Sequence, residues 1–232
     1  MKTLKIFNYA VVAVTGASIL FFAILRQQSF IKTLPTMVTL LVMLLSARAN
    51  RYTFLLGGLN SLVYAYVYWG TGVYFSACSA VLISFPLQMV SFFNWKKHAS
   101  NKTGTNFVCL SAKKTVLVLL LLIPAWAVAY FGLGSHIKGS YPALDCYLFV
   151  ASILCSVLSA LRIIQSPYIN AVSCVLNLTM WGMITAQSPE NINYVFISLY
   201  NLIMVTEAAV VWTKKYKEQK ARTDAQAVEV QA

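Results

Sequence analysis

Charge is what this sequence has least of. Only 10% of its 232 residues are Asp, Glu, Lys or Arg, against about 25% in soluble globular chains. A soluble surface cannot be covered with so few charges. Histidine occurs twice, at His98 and His136, in segments expected on opposite sides of a membrane, so no shared metal site is expected. Five cysteines stand at 78, 109, 146, 155 and 174 without a CxxC spacing, which excludes a disulfide scaffold. Four of them lie in or beside apolar runs and read as small buried residues. The sequence has no Walker A loop, no Rossmann glycine pattern and no HExxH, which argues against an ATP-driven pump or a zinc protease. No convergent acid, base and nucleophile set occurs in the apolar runs. Neither an enzyme nor a cofactor is therefore expected.

What is present is apolar. Hydrophobic residues make up 59% of the chain, and the mean hydropathy is +0.70. A membrane helix needs about 20 mostly apolar residues. Eight runs qualify, over 6–25, 33–47, 52–69, 73–95, 115–134, 143–161, 167–186 and 191–213, the second being the shortest and weakest. The third and fourth form one uncharged stretch cut by Gly70-Thr71-Gly72, which reads as a turn between two helices. The first run is too long for the core of a signal peptide and lacks a small-residue cleavage site before Arg26, so an uncleaved helix is expected.

The charges that do exist are mostly basic, 18 Lys and Arg against 6 acids. They sit in short clusters between the apolar runs, which points to membrane topology and not to a nucleic-acid partner. With eight spans and the N-terminus inside, the inner segments hold Lys2, Lys5, Arg48, Arg51, Lys96, Lys97, Lys102, Lys113 and Lys114. They also hold Arg162, Lys214, Lys215, Lys217, Lys220 and Arg222. That is 15 of the 18 basic residues. Arg26, Lys32 and Lys138 fall outside. Positive charge collects on the cytoplasmic side, so both termini are expected there. The sequon Asn101-Lys102-Thr103 falls on that same side.

The spans repeat. With Asn60 aligned on Asn177, Trp95 falls on Trp212, Lys97 on Lys214, Tyr64 on Trp181 and Ser84 on Asn201. Spans 33–47, 52–69 and 73–95 match 143–161, 167–186 and 191–213, with 115–134 between them. A single linker helix restores the orientation that three helices reverse. The expected fold is therefore all-α, a 3+1+3 parallel-repeat bundle of the SWEET type, with one extra N-terminal membrane helix. The corresponding units are 1–31, 32–95 (repeat 1), 96–141 (basic loop and linker helix), 142–213 (repeat 2) and a tail over 214–232. The tail is polar, begins basic and is expected to be disordered.

The stretch Arg51–Lys97 reads RYTFLLGGLNSLVYAYVYWGTGVYFSACSAVLISFPLQMVSFFNWKK. It resembles the PnuC family of bacterial nicotinamide riboside transporters. The resembling features are GGLN opening a helix, the aromatics after it, the Gly-containing turn followed by Tyr74, and the aromatic run closing on Trp95 before basic residues. The second triplet resembles the family more loosely, through Arg162, Asn177 and Trp212-Thr213-Lys214-Lys215. The resemblance covers about 30–215. It implies a SWEET-like fold in the bacterial cytoplasmic membrane. It also implies facilitated diffusion of a vitamin precursor that a separate kinase traps inside. Members that carry nicotinamide riboside typically have two Trp shortly before the Asn matched by Asn177. This sequence has Asn170 and Ser173 near those positions, and thiamin, riboflavin or a nucleoside are the alternative substrates that relatives suggest.

Candidate binding residues follow from helical spacing. Asn60, Tyr64 and Tyr68 lie at i, i+4, i+8 and share a face. Asn177 and Trp181 repeat the pair of an Asn and an aromatic. Ser84 and Gln88 lie at i, i+4, and Tyr194, Ser198 and Asn201 at i, i+4, i+7. Amides would serve ribose hydroxyls or a carboxamide. Aromatic faces would stack a flat ring and, if it is cationic, attract it by up to about 2 kcal/mol. The competing role is to tie helices together, at about 0.6 kcal/mol per polar contact.

Glu207 is the one acid expected deep in a span. It could couple transport to protons, or it could snorkel towards Lys214 or Lys215. Pro86 and Pro124 each remove a backbone donor inside a helix and could act as hinges. The expected partners are a small-molecule substrate and the bilayer, with a homo-oligomer open and a non-transporting sensor or structural protein as the alternative from another class.

Overall fold

The computed structural model describes residues 2–98 and 105–231, with side chains described over 8–98 and 105–226. The sequon at Asn101 lies outside the described residues. The helices are α1 (Lys2–Leu25), α2 (Phe30–Ala47), α3 (Tyr52–Gly70), α4 (Tyr74–Ser79), α5 (Phe85–Lys97), α6 (Ala112–Gly132), α7 (Pro142–Ala160), α8 (Ser166–Gln187) and α9 (Ile192–Gln231). Between α4 and α5 the rod continues as a π turn, Ala80–Ser84. Among the described residues no strand forms beyond the single bridge Val108–Ile163. The protein is an all-helical, multi-pass membrane protein.

Seven of these rods are long and apolar enough to cross a membrane. Of the eight expected spans, α3 falls short, because its five tyrosines and tryptophans, Asn60 and its glycines dilute the apolar residues. The short second run gains its length upstream, α2 beginning at Phe30. α3 ends at Gly70 as expected, and Gly72 takes φ +75° in the turn, a conformation that favours glycine. Ser140 packs there, its N–H donating to the Gly72 carbonyl at 2.9 Å.

Pro86 explains the π turn. It offers no N–H and its ring crowds the carbonyl one turn earlier, so the ladder slips to i→i+5 spacing. The Phe85 N–H then donates to the Ala80 carbonyl, and Ser61 of α3 donates its hydroxyl to the same oxygen at 3.1 Å. Close approach of α3 to this rod depends on Gly57 and Gly58. A Cβ on Gly58 would lie 2.6 Å from the Met89 terminal methyl.

Around α3 and α8 the other helices cross. α2 packs on α3 and on α9, while α7 packs on α8 and on the α4–α5 rod. α1 lies against α2 and α9, and α6 leans on α7. Only 6% of the α6 span is buried. Its Leu117, Leu120, Ile123 and Phe131 stay exposed, as a helix facing hydrocarbon requires. The 214–232 segment, expected to be disordered, continues α9 as a helix to Gln231. Its Lys, Gln, Glu and Ala residues are good helix formers, and they extend a rod already nucleated by the packed span, so no new nucleation cost arises. Cys78 is exposed, contrary to the expected burial, whereas Cys146 and Cys174 are buried.

Candidate functional site

Between α2, α3, the α4–α5 rod, α7, α8 and α9 lies a cavity of about 390 Å³. Of the candidate residues, Asn60, Tyr64, Tyr68, Ser84, Gln88, Asn177 and Asn201 line it. Its lining contains no Asp, Glu, Lys or Arg. Burying a charge in a bundle core is costly, and amides and hydroxyls supply polarity there without that cost.

Two of the four candidate amides in the lining, Asn60 and Asn177, are partly occupied. Asn60 donates to the Pro35 carbonyl at 2.9 Å and to the Thr39 hydroxyl at 3.0 Å. Its carbonyl oxygen is buried without a partner. Asn177 donates to Ser198 at 3.0 Å, and the Asn201 carbonyl oxygen is also unpartnered. The Asn60 and Asn177 N–H groups therefore tie helices together, while the Asn60 and Asn201 acceptors remain open. Gln88 reaches across α3 at Gly57, where a Cβ would lie within clashing distance of its side-chain oxygen. The absent Cβ gives this amide its path into the cavity.

Trp181 and Tyr194 stand outside the lining. They form the back of an aromatic stack closing the end of the cavity near the 70–72 and 187–190 turns. Tyr64 and Tyr68 stack at 5.3 Å, Tyr68 meets Trp181 at 6.1 Å, and Trp181 meets Tyr194 at 4.3 Å. The Tyr64 and Thr39 hydroxyls are 3.0 Å apart, and Tyr194 donates to the Lys32 carbonyl at 3.0 Å. At the tail end Phe54 lines the floor and meets Trp95 at 4.8 Å.

Glu207 is not in the lining. It accepts from the Asn8 side-chain amide of α1, and neither Lys214 nor Lys215 is its hydrogen-bond partner. Lys215 instead donates to the Arg48 carbonyl at 3.0 Å, and its burial pulls the ammonium below its ordinary value. Among the described residues the most deeply buried acid is Asp145, 2% exposed, which the sequence analysis did not single out. Its carboxylate accepts the Phe75 and Ser76 N–H groups at 2.9 and 3.0 Å, and the Ser76 hydroxyl. It thus satisfies free donors at the start of α4, and favours that helix end electrostatically. Among the described residues no group of His, Cys, Asp and Glu could hold a metal.

Sequence reasoning also missed a seryl wall. Ser152, Ser156 and Ser159 of α7 line the cavity, spaced i, i+4, i+7 on one face. That spacing was visible, but nothing in it said which face of α7 turns inward. Asn170 and Ser173 of α8 line the cavity as well.

Residues 29–214 match the family model described as "Nicotinamide mononucleotide transporter". The chain is 22% identical over 204 residues to the nicotinamide riboside transporter PnuC of Neisseria mucosa, covering 86% of this chain and 78% of that protein. Its fold is similar to a crystal structure of the vitamin B3 transporter PnuC, with a TM-score of 0.79 and 20% identity, covering 91% of this chain and 92% of that one.

Proposed function

The chain belongs to the nicotinamide mononucleotide transporter family, and we propose that it is a facilitated-diffusion importer of a vitamin precursor. Nicotinamide riboside or a similar flat-ring riboside or vitamin is the substrate class, and a separate kinase traps it inside. The observation that carries this reading is the uncharged cavity, lined by amides, hydroxyls and tyrosines. Its volume lies in the range of about 300–1,000 Å³ typical of small-molecule sites. Open amide acceptors suit hydroxyl or carboxamide donors, and Tyr64 and Tyr68 offer faces for a ring. Asn170 and Ser173, where the family resemblance leads one to expect Trp, leave a more polar wall, so thiamin, riboflavin and nucleosides stay within the class. Asn60, Tyr64, Tyr68, Ser84, Gln88, Asn177 and Asn201 make contact, while Trp181 and Tyr194 support Tyr68.

The architecture we infer is the 3+1+3 parallel repeat, with α2–α3–(α4–α5) as one triplet, α7–α8–α9 as the other, α6 as linker and α1 as addition. Two hydrogen bonds support it. The Trp95 indole donates to the Ser159 carbonyl at 2.8 Å, and the Trp212 indole to the Ser46 carbonyl at 3.2 Å. Each runs from the last helix of one triplet to the end of the first helix of the other. Ala49 and Arg162 both take positive φ, two residues beyond α2 and α7. The basic segments support a cytoplasmic tail end, and the family supports a bacterial inner membrane.

A binding screen of the purified protein against nicotinamide riboside, thiamin, riboflavin and nucleosides tests the reading. One of them should raise the thermal-unfolding midpoint and cross proteoliposome membranes. Binding by none, with the protein folded, overturns it in favour of a non-transporting membrane protein.

A further inference from the structure

The tail end of the bundle is closed by a ring that no membrane-spanning segment supplies. Phe107 sits in the irregular stretch between α5 and α6, yet it is 2% exposed. Its ring lies 5.8 Å from that of Trp95 and 5.1 Å from that of Trp212, which are themselves 5.3 Å apart. Trp95 in turn meets Phe54 on the cavity floor. Phe54, the two tryptophans and Phe107 thus lie in contact, one beyond another, from the cavity lining to the irregular stretch.

An irregular segment keeps a ring buried only if its backbone is held. Here Val108 bonds through its main chain to Arg162 and Ile164, both at 3.0 Å, and on either side of it two glutamines each pair a side-chain amide with both the N–H and the C=O of one residue, as a neighbouring strand would. Gln165 accepts from the Leu110 N–H at 3.2 Å and donates to the Leu110 carbonyl at 2.9 Å. Gln219 accepts from the Phe107 N–H at 2.8 Å and donates to the Phe107 carbonyl at 3.2 Å. Arg162 adds a bond to the Asn106 carbonyl at 3.0 Å.

The two clasps differ in kind. Gln165 belongs to the turn between α7 and α8. Gln219 lies on α9 seven residues beyond Trp212, on the same helix face. One helix thus supplies both a wall for the Phe107 ring and the clasp for its backbone.

We infer that Phe107 is the closing element of the gate at the tail end of the cavity, and that Gln219 is its positioning residue. Substrate can pass this end only when Phe107 leaves the tryptophans, and leaving breaks both Gln219 bonds. Gln219 therefore sets how often the gate opens, without touching the ligand. The inference rests on the reading of the cavity as a transport site.

The test uses the full chain in nanodiscs, with Cys78, Cys109 and Cys146 replaced by Ala. The cavity residues Cys155 and Cys174 then report gate opening through their rate of reaction with a membrane-impermeant maleimide, and no ligand is needed. Gln219→Leu should raise this rate by about tenfold, the scale on which losing two hydrogen bonds shifts an opening equilibrium. Phe107→Ala should do at least as much. Gln219→Glu should fall between wild type and Leu, because it keeps the acceptor for the Phe107 N–H and loses the donor. The thermal-unfolding midpoint of the Gln219 variants and their nicotinamide riboside Kd should stay at the wild-type values. A wild-type maleimide rate in folded Gln219→Leu overturns the proposal, whether or not Phe107→Ala folds. If the rates respond while wild type carries no substrate, the gate stands and the transport reading fails.

Discussion

Asn8 of α1 donates its side-chain amide to the Glu207 carboxyl of α9 across 2.7 Å. The bond fastens the first helix to the last at a point away from the cavity lining. A coupling carboxylate must exchange protons with both sides and sense the substrate. Glu207 is instead engaged by a neutral amide that is itself buried.

Transport should therefore need no proton. Glu207→Gln keeps a carbonyl acceptor for Asn8 and should still equilibrate labelled nicotinamide riboside in proteoliposomes without a pH gradient. The membrane potential must be clamped near zero, because a potential alone concentrates a cation. Accumulation above equilibrium under an imposed proton gradient, lost in Glu207→Gln, would replace the passive reading with a symporter.

Gly57→Ala should weaken substrate binding with little loss of stability. The new Cβ collides with the far end of the Gln88 side chain, which can swing away cheaply but no longer enters the cavity. Losing one hydrogen bond costs about 0.5–1.5 kcal/mol, roughly 2- to 13-fold in Kd. An unchanged Kd by calorimetry would remove Gln88 from the site.

Asn177→Leu and Asn60→Leu should differ in kind. Asn177 donates to Ser198, whereas Asn60 holds both Pro35 and Thr39 of α2. Both variants should lose about 1–3 kcal/mol of binding, because a ligand group is left unpaired. Asn60→Leu should also lower the thermal-unfolding midpoint more. Normal affinity in both would leave these residues with helix packing as their only role.

The orientation can be read with cysteines. Gly70 has open space around it, and Lys217 lies beyond the last span. In a chain free of native cysteines, Gly70→Cys should react with an impermeant thiol reagent in intact cells, and Lys217→Cys should not. The opposite pattern would invert the topology.

The amino-acid sequence by itself determined what depends on nearby residues. A run's ability to cross hydrocarbon is set by its own side chains, so the long spans, the break at Gly70–Gly72 and the apolar run within α6 were legible. So was the Asn60, Tyr64 and Tyr68 face, because helical spacing is local. Only the tertiary structure decided which face of each helix turns inward and what meets it there. Nothing near Asp145 in the chain marked it, and its partners are α4 N–H groups 69 and 70 residues away. Glu207 found its partner at Asn8, 199 residues away, although lysines stood much closer in the chain. Ser152 and Ser156 became a wall only because α7 packs on the α4–α5 rod. The tail, polar enough to read as disordered, kept its helix as the continuation of a packed span, with Gln219 bound to Phe107. Backbone and side-chain polar groups in such a bundle must find partners wherever they can, and separation along the chain says little about where those are.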